Sequence, residues 1–254
     1  PGTDLTFFPW PDMAPGRPGT GLASEVQLAV PVGSGGYWQD RLGEHGVVVA
    51  AGGERLGAPA TTFRDPDGLA LALVEVGDRE AHPWAGSPVP AEHQIVGLHS
   101  VRLDVATAEP TERLLEETMG FRRLEVEGSV RHLGVEGAGS GCRVEVAEDA
   151  GTPQGRWGPG TVHHVAWRLR DEEEEIALRE VVAAGGHRPT PVIDRFWFRS
   201  VYFREPGGVL FELATDGPGF TVDEPEDSLG ERLILPPWLE DQRAEIEADL
   251  PDLV

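Results

Sequence analysis

The residues TVHHVAWRL (161–169) and DRFWFRSVYFREPGGVLFELATD (194–216) decide the fold of this chain. The first segment has the short apolar alternation of a strand, and the second contains two further strands separated by the EPGG turn. Between them, the sequence predicts a helix from about Asp171 to Ala184, closed by the pair Gly185-Gly186. The region therefore predicts one module of strand, helix and short strands.

Three residues in this module are of the types that bind metals. A histidine pair heads the first strand, and Glu212 lies in the last strand between Phe211 and Leu213. A carboxylate buried among apolar side chains costs several kcal/mol unless it is paired or bound to a metal. A histidine and a carboxylate on neighbouring strands supply two of the three ligands of a 2-His-1-carboxylate iron site.

The same plan is repeated upstream. One copy runs from Ile95, with a helix that begins near Pro110 and stops at Gly120, to strands that end near Val146. A looser copy begins at Ser24 and reaches a strand after the DPDG turn, where Ala72 stands in the place of Glu212. Because that strand lacks the acid, the module does not need a carboxylate there to fold.

Composition narrows the class of protein. The chain has 254 residues and a formal net charge of -23, and all its basic residues other than histidine are arginines. Such a charge argues against nucleic acid or an anionic membrane as a partner. A single cysteine, Cys142, excludes an internal disulfide and a cysteine zinc cluster. We expect a cytoplasmic protein whose metal ligands, if it has any, are histidine and carboxylate.

Four segments carry a resemblance to a known family. GTVHHVAW (160–167), the 194–216 stretch, PGFTVDEPEDSLGE (218–231) and LPPWLE (235–240) are similar to ring-cleaving dioxygenases of the vicinal oxygen chelate superfamily that act on hydroquinones. The resemblance implies an α+β fold of repeated βαβββ modules in two open β-cup domains. It also implies a mononuclear Fe(II) or Mn(II) site, an aromatic substrate and O2.

On this basis we expect an incomplete first domain at 1–93, a second domain with the metal-ligand strands at 94–220, and an acidic strap with a short helix at 221–254. LTFFPW (5–10) resembles the tail of a further module whose beginning is absent. A homodimer is compatible with this organisation.

The resemblance also assigns site residues. His164 and Glu212 match metal ligands, while His163, Arg195 and Tyr202 match groups beside the substrate. Tyr202 faces Glu212 only if residues 206–208 form a three-residue loop with a glycine bulge. Otherwise it is a packing residue, just as Arg195 could simply pair with an acid such as Asp194.

The third ligand is not evident. Ser100 aligns with His164, so the module that begins at Ile95 has no histidine there. The resemblance places the remaining histidine in a segment before residue 1 or in another polypeptide, with His82, His93 and His99 as weaker substitutes. His45, His132 and His187 are expected in surface or loop positions. The aromatic residues Phe7, Phe8 and Trp10 line the pocket or pack in the core.

The expected activity is O2-dependent ring opening of a hydroquinone or related dihydroxylated aromatic. Two alternatives use the same scaffold. One is a metal-dependent isomerase or lyase of the glyoxalase kind, and the other is a metal-free protein that binds an aromatic compound or antibiotic.

Overall fold

The computed structural model describes residues 4–8 and 12–250. Three modules share the order strand, helix and three strands, and a C-terminal segment of short helices follows them. The elements are β1 Leu22–Pro31, α1 Gly35–Glu44, β2 Ala50–Arg55, β3 Ala58–Arg64, β4 Ala70–Val76, β5 Gly97–Val105, α2 Glu109–Glu117, β6 Phe121–Glu127, β7 Val130–Val135, β8 Arg143–Glu148, β9 Val165–Leu169, α3 Glu172–Ala184, β10 Ile193–Asp194, β11 Arg199–Arg204, β12 Leu210–Thr215 and α4 Arg243–Asp249.

The helices begin and end where local chemistry permits. Asp171 caps α3, since its carboxylate accepts a hydrogen bond from the Glu174 amide at 2.9 Å. Pro110 lies in the first turn of α2, where its missing N–H costs nothing. The short helix expected within residues 221–254 is α4, and a 3₁₀ helix over residues 237–242 precedes it.

Two sheets organise the strands. The eight-stranded sheet has the order β2-β3-β4-β1-β5-β8-β7-β6, and the four-stranded sheet has the order β10-β11-β12-β9. In every module the first strand pairs in parallel with the last one. Strands β1 and β5 are antiparallel neighbours, so the larger sheet continues across residue 93. Among the described residues, no strand pairs with the free edge of β9, which corresponds to the edge of β5 that β1 covers.

The modules are equivalent residue by residue. Arg102 pairs with Glu145 between β5 and β8, just as Ala166 pairs with Glu212 between β9 and β12. Ser100 therefore holds the register of His164, as predicted. Glu145 holds the register of Glu212, so the middle module has an acid at this position too.

The main core lies between the sheets and the helices. It joins the middle module to the last one through buried side chains such as Leu103, Leu115, Phe203 and Phe211. A second cluster around Trp38 fills the space under α1. Residues 4–8 form neither helix nor strand. Within the described residues, no helix is long and apolar enough to cross a membrane.

Candidate active site

The turn before β12 fixes the register of the site. The Glu205 amide donates to the Val209 carbonyl at 3.0 Å, and Gly208 has a φ of 106°, a value that suits glycine. The loop therefore has three residues, and Tyr202 lies opposite Glu212 on β11 and β12. The pairing predicted for a three-residue loop is confirmed.

Glu212 is the centre of a buried polar cluster. It is 3% exposed. The Tyr202 hydroxyl donates to Glu212 Oε1 at 2.6 Å, and His164 Nε2 lies 2.7 Å from Glu212 Oε2. Burial, followed by the hydrogen bond to Glu212, raises the pKa of the Tyr202 phenol. The hydroxyl thus keeps its proton and can remain the donor to the carboxylate.

The histidine pair lies just before β9. His163 Nδ1 and His164 Nδ1 are 2.7 Å apart, so one ring donates a hydrogen bond to the other. Burial and the neighbouring His164 lower the pKa of His163. The His163 ring also contacts Trp157, with 4.6 Å between ring centroids, and Phe8 at 5.7 Å. His163 therefore lies between the His164–Glu212 pair and the aromatic rings of Trp157 and Phe8.

Arg195 reaches the cluster from the loop between β10 and β11. Its Nη2 donates to the Tyr202 hydroxyl at 3.2 Å and its Nε donates to Ser200 at 3.2 Å. The guanidinium carbon lies 5.5 Å from the centre of the Tyr202 ring. A continuous contact path therefore runs from Arg195 through Tyr202 to Glu212.

A small cavity opens beside His163. Its volume is about 180 Å³, and an apolar protein cavity of about 150 Å³ is sufficient for benzene. The walls are mainly apolar, with His163 and Arg204 as the polar groups. They are formed by Gly21, Leu22, Trp157, Val162, His163, Arg204, Val209 and Leu210.

The weaker ligand candidates lie elsewhere. His99 is buried and bonded to Ser140 at 2.9 Å, and burial lowers its pKa to about 4. His93 stacks on Tyr37 with 4.5 Å between ring centroids. His82 borders a separate cleft with Asp78. Among the described residues there is no group of three or more His, Cys, Asp or Glu side chains that could hold a metal.

The aromatic residues near the N-terminus behave differently from one another. Phe8 contacts both rings of the histidine pair, at 5.7 Å from His163 and 6.3 Å from His164. Phe7 is 65% exposed and so is not a core residue. The prediction for Trp10 falls outside the described residues.

A second polar cluster was not predicted. In the eight-stranded sheet, Gln27 Nε2 donates to Glu145 Oε1 at 2.9 Å and to Glu25 Oε1 at 3.1 Å. Arg55 holds Glu25 through two hydrogen bonds of 2.7 Å. His132, expected at the surface, is 4% exposed and lies beside this cluster, because it pairs directly with Glu145 between β7 and β8. The alternation of RVEVAE (143–148) could have revealed Glu145.

The three modules and the parallel pairing of the first and last strand in each define a fold built from repeated βαβββ units. Residues 97–213 match the Glyoxalase/Bleomycin resistance protein/Dioxygenase superfamily. The chain belongs to this superfamily, and its α+β fold of curled sheets is the one predicted from the sequence.

Individual proteins similar to this chain have names that are more specific than that of the superfamily. The chain is 41% identical over 258 residues to "Putative ring-cleaving dioxygenase MhqA" of Bacillus subtilis, covering 98% of this chain and 82% of that protein. It is 31% identical over 260 residues to the chlorohydroquinone/hydroquinone 1,2-dioxygenase of Sphingobium indicum, covering 99% and 80%. A crystal structure of a "putative dioxygenase" from Bacillus subtilis has a TM-score of 0.94 at 37% identity, covering 100% of this chain and 81% of that one.

Proposed function

We propose that this protein is a ring-cleaving dioxygenase that opens a hydroquinone or a related dihydroxylated aromatic with O2. The observation that carries the proposal is the buried Glu212 between the imidazole of His164 and the phenol of Tyr202. The hydroquinone dioxygenase of Sphingobium indicum, similar over 99% of this chain, supports the substrate class.

The donor set fits part of a metal site. His164 Nε2 and Glu212 Oε2 are 2.7 Å apart, and two ligands bound to one ion at about 2.1 Å lie about 3 Å from each other. A nitrogen and a carboxylate oxygen suit Fe(II) or Mn(II). The described residues provide two protein ligands, so the proposed site needs further ligands from beyond them. When bound, the metal would bring substrate and O2 together and let electrons pass between them.

The surrounding residues have distinct proposed roles. Tyr202 donates a hydrogen bond to Glu212 and so holds the carboxylate in one orientation. Arg195 donates to the Tyr202 oxygen and places a positive charge where negative charge develops on substrate oxygens. His163, in contact with His164, would carry a proton to or from the ring hydroxyl.

The cavity beside His163 has room for an aromatic ring, and it borders the proposed metal site only through His163, which contacts His164. Leu22, Trp157 and Leu210 provide apolar walls around a space of about benzene size. The two polar groups, His163 and Arg204, would contact the hydroxyl groups of the ring. In the net reaction both atoms of O2 enter the opened ring, so no external reductant is needed.

The test measures iron content and oxygen uptake together. We expect the protein, together with the segment or second polypeptide that supplies the remaining ligand, to consume one O2 per hydroquinone when it is loaded with Fe(II) without air. Glu212→Gln should lose both iron and oxygen uptake, because the amide has no charge to offer the metal. Glu145→Gln, the same change at the same register of the other sheet, is the matched control and should retain both.

The outcomes separate the alternatives. Iron binding with conversion of a substrate but no oxygen uptake would point to the isomerase or lyase chemistry. Binding of an aromatic compound without any metal would point to a sequestering protein. Full oxygen uptake by Glu212→Gln would show that the proposed site is wrong.

A further inference from the structure

We infer that residues 218–242, which overlap the segment expected at 221–254 and are called the strap from here on, position Arg195 for the proposed reaction by holding Trp197. Asp223 is the residue through which the strap acts. This inference rests on the proposed function of Arg195, and it adds a positioning role for a segment that lies beyond the superfamily match at residues 97–213.

The loop that presents Arg195 has an unusual backbone. It joins β10 to β11 through residues 195–198, with the Arg195 amide donating to the Phe198 carbonyl at 2.9 Å. Phe196 has a φ of 72°, in the left-handed region that a bulky side chain rarely adopts. The Phe196 amide donates to Asp194 Oδ1 at 2.8 Å. A residue in this conformation persists only where its surroundings hold it.

The strap supplies these surroundings. The Trp197 indole N–H donates to the Asp223 carboxylate, with distances of 3.1 and 3.2 Å to its two oxygens. The Gly219 amide donates to the Trp197 carbonyl at 2.7 Å. Phe220 lies 6.3 Å from the Trp197 ring, measured between centroids. The strap therefore contacts Trp197 at its main chain, at its indole nitrogen and at its ring.

A second aromatic contact holds the tip of the loop. The ring of Phe196 packs edge to face on Trp238, with 6.2 Å between centroids. Phe196 and Trp197 also pack against each other at 5.4 Å. The two residues that follow Arg195 are therefore both anchored in the strap, at points 15 residues apart in the sequence (223 and 238).

Arg195 depends on this anchoring because its own side chain is exposed. An exposed arginine has many rotamers, so its guanidinium stays near Tyr202 only if the backbone starts from the right place. Moving the loop by about an ångström would break the 3.2 Å contact to the Tyr202 hydroxyl. The strap contact thus reaches Glu212 through Trp197, Arg195 and Tyr202.

A double-mutant cycle tests whether the strap acts through Arg195. Asp223→Ala should lower kcat for oxygen uptake by about five- to tenfold, the effect of losing one hydrogen bond of ordinary strength. In an Arg195→Ala background the same change should cost less than about twofold, since its target is gone. Asp227→Ala is the control and should leave kcat unchanged, because Asp227 is as exposed as Asp223 but is not the acid that accepts from Trp197.

A structural role alone would give a different result. The inference is overturned if Asp223→Ala lowers kcat by the same factor in both backgrounds, or if it has no more effect than Asp227→Ala. Iron content and the thermal midpoint of each variant show whether any loss comes from the metal or from unfolding.

Hydrogen exchange separates this inference from the proposed function. If the iron-loaded protein consumes no O2 with hydroquinone, the proposed function fails, and the loop is then examined directly. The amides of Arg195 and Phe196 should exchange at least about fivefold faster in Asp223→Ala than in Asp227→Ala, because local opening becomes easier. Equal exchange rates would overturn the positioning role independently of any activity.

Discussion

Replacing Glu205 by glutamine should destabilise the protein by about 2–3 kcal/mol, a cost that follows from how its two oxygens are used. Glu205 is 2% exposed. Its Oε2 accepts from Thr111 at 2.6 Å and from the Gly207 amide at 2.8 Å, while its Oε1 accepts from the Val209 amide at 2.8 Å. Glutamine has one carbonyl oxygen, so its NH2 group must face at least one of these donors.

The magnitude is the balance of three effects. One buried N–H or O–H loses its acceptor, at about 1–3 kcal/mol, and the bonds that remain lose their charge assistance. The removal of a buried charge offsets part of this cost. For a chain of this size, a net loss of about 2–3 kcal/mol lowers the thermal midpoint by roughly 4–12 °C.

The first module provides a control for the glutamine substitution. In the DPDG turn, Asp65 accepts from the amides of Asp67 and Leu69 with the same oxygen, Oδ1. Asparagine retains a carbonyl oxygen at that position, so Asp65→Asn should cost less than about 1 kcal/mol. Urea unfolding of both variants measures the difference. Equal losses in the two variants, or a loss below about 0.5 kcal/mol for Glu205→Gln, would refute the reasoning.

Three further predictions concern buried polar groups. Burial raises the pKa of Glu175, which is fully buried, to about 7. The free energy of unfolding of the wild type should therefore fall as pH rises from about 4.5 to 7. In urea unfolding, Glu175→Gln should remove this pH dependence, and an unchanged dependence would contradict the prediction. Tyr202→Phe should lower kcat about ten- to a hundredfold at unchanged iron content, because it removes the hydroxyl that lies between Arg195 and Glu212. An unchanged kcat would show that this hydroxyl takes no part in the reaction. Gln27→Leu should cost about 2–3 kcal/mol in unfolding experiments, because Glu145 loses its hydrogen bond, and it should not reduce oxygen uptake.

The fold could be predicted from the sequence because its signals are local. Strand alternation, Pro110 at a helix start, the Asp171 cap and the glycine of the EPGG turn each act within a few residues. The pairing of Tyr202 with Glu212 follows from a three-residue loop, one of the two loop lengths that the sequence allowed, since loop length sets register in a hairpin.

What could not be predicted depends on distant parts of the chain. The pairing of β1 with β5 joins two modules into one sheet, and no local pattern names the neighbour of an edge strand. His132 was wrongly expected at the surface, since its burial depends on its pairing with Glu145 on the neighbouring strand. The role of the strap depends likewise on the contact between Trp197 and Asp223, which are 26 residues apart.

The two buried acids at equivalent registers show which observation identifies a metal ligand. Burial does not separate them, because Glu145 is 2% and Glu212 is 3% exposed. Their neighbours do. Gln27 Nε2 donates a hydrogen bond to Glu145 at 2.9 Å, whereas His132 Nδ1 and Arg102 Nη1 lie 3.9 and 4.0 Å from its carboxylate, beyond direct contact.

Glu212 faces a different partner. His164 Nε2 can carry a proton or donate its lone pair to a metal. The nitrogen and Glu212 Oε2, 2.7 Å apart, can therefore either share a hydrogen bond or bind the same ion. The Glu212→Gln and Glu145→Gln pair of variants therefore tests more than one residue. If iron content falls in both, the neighbours of the acid do not determine metal binding, and the assignment of His164 and Glu212 loses its physical basis.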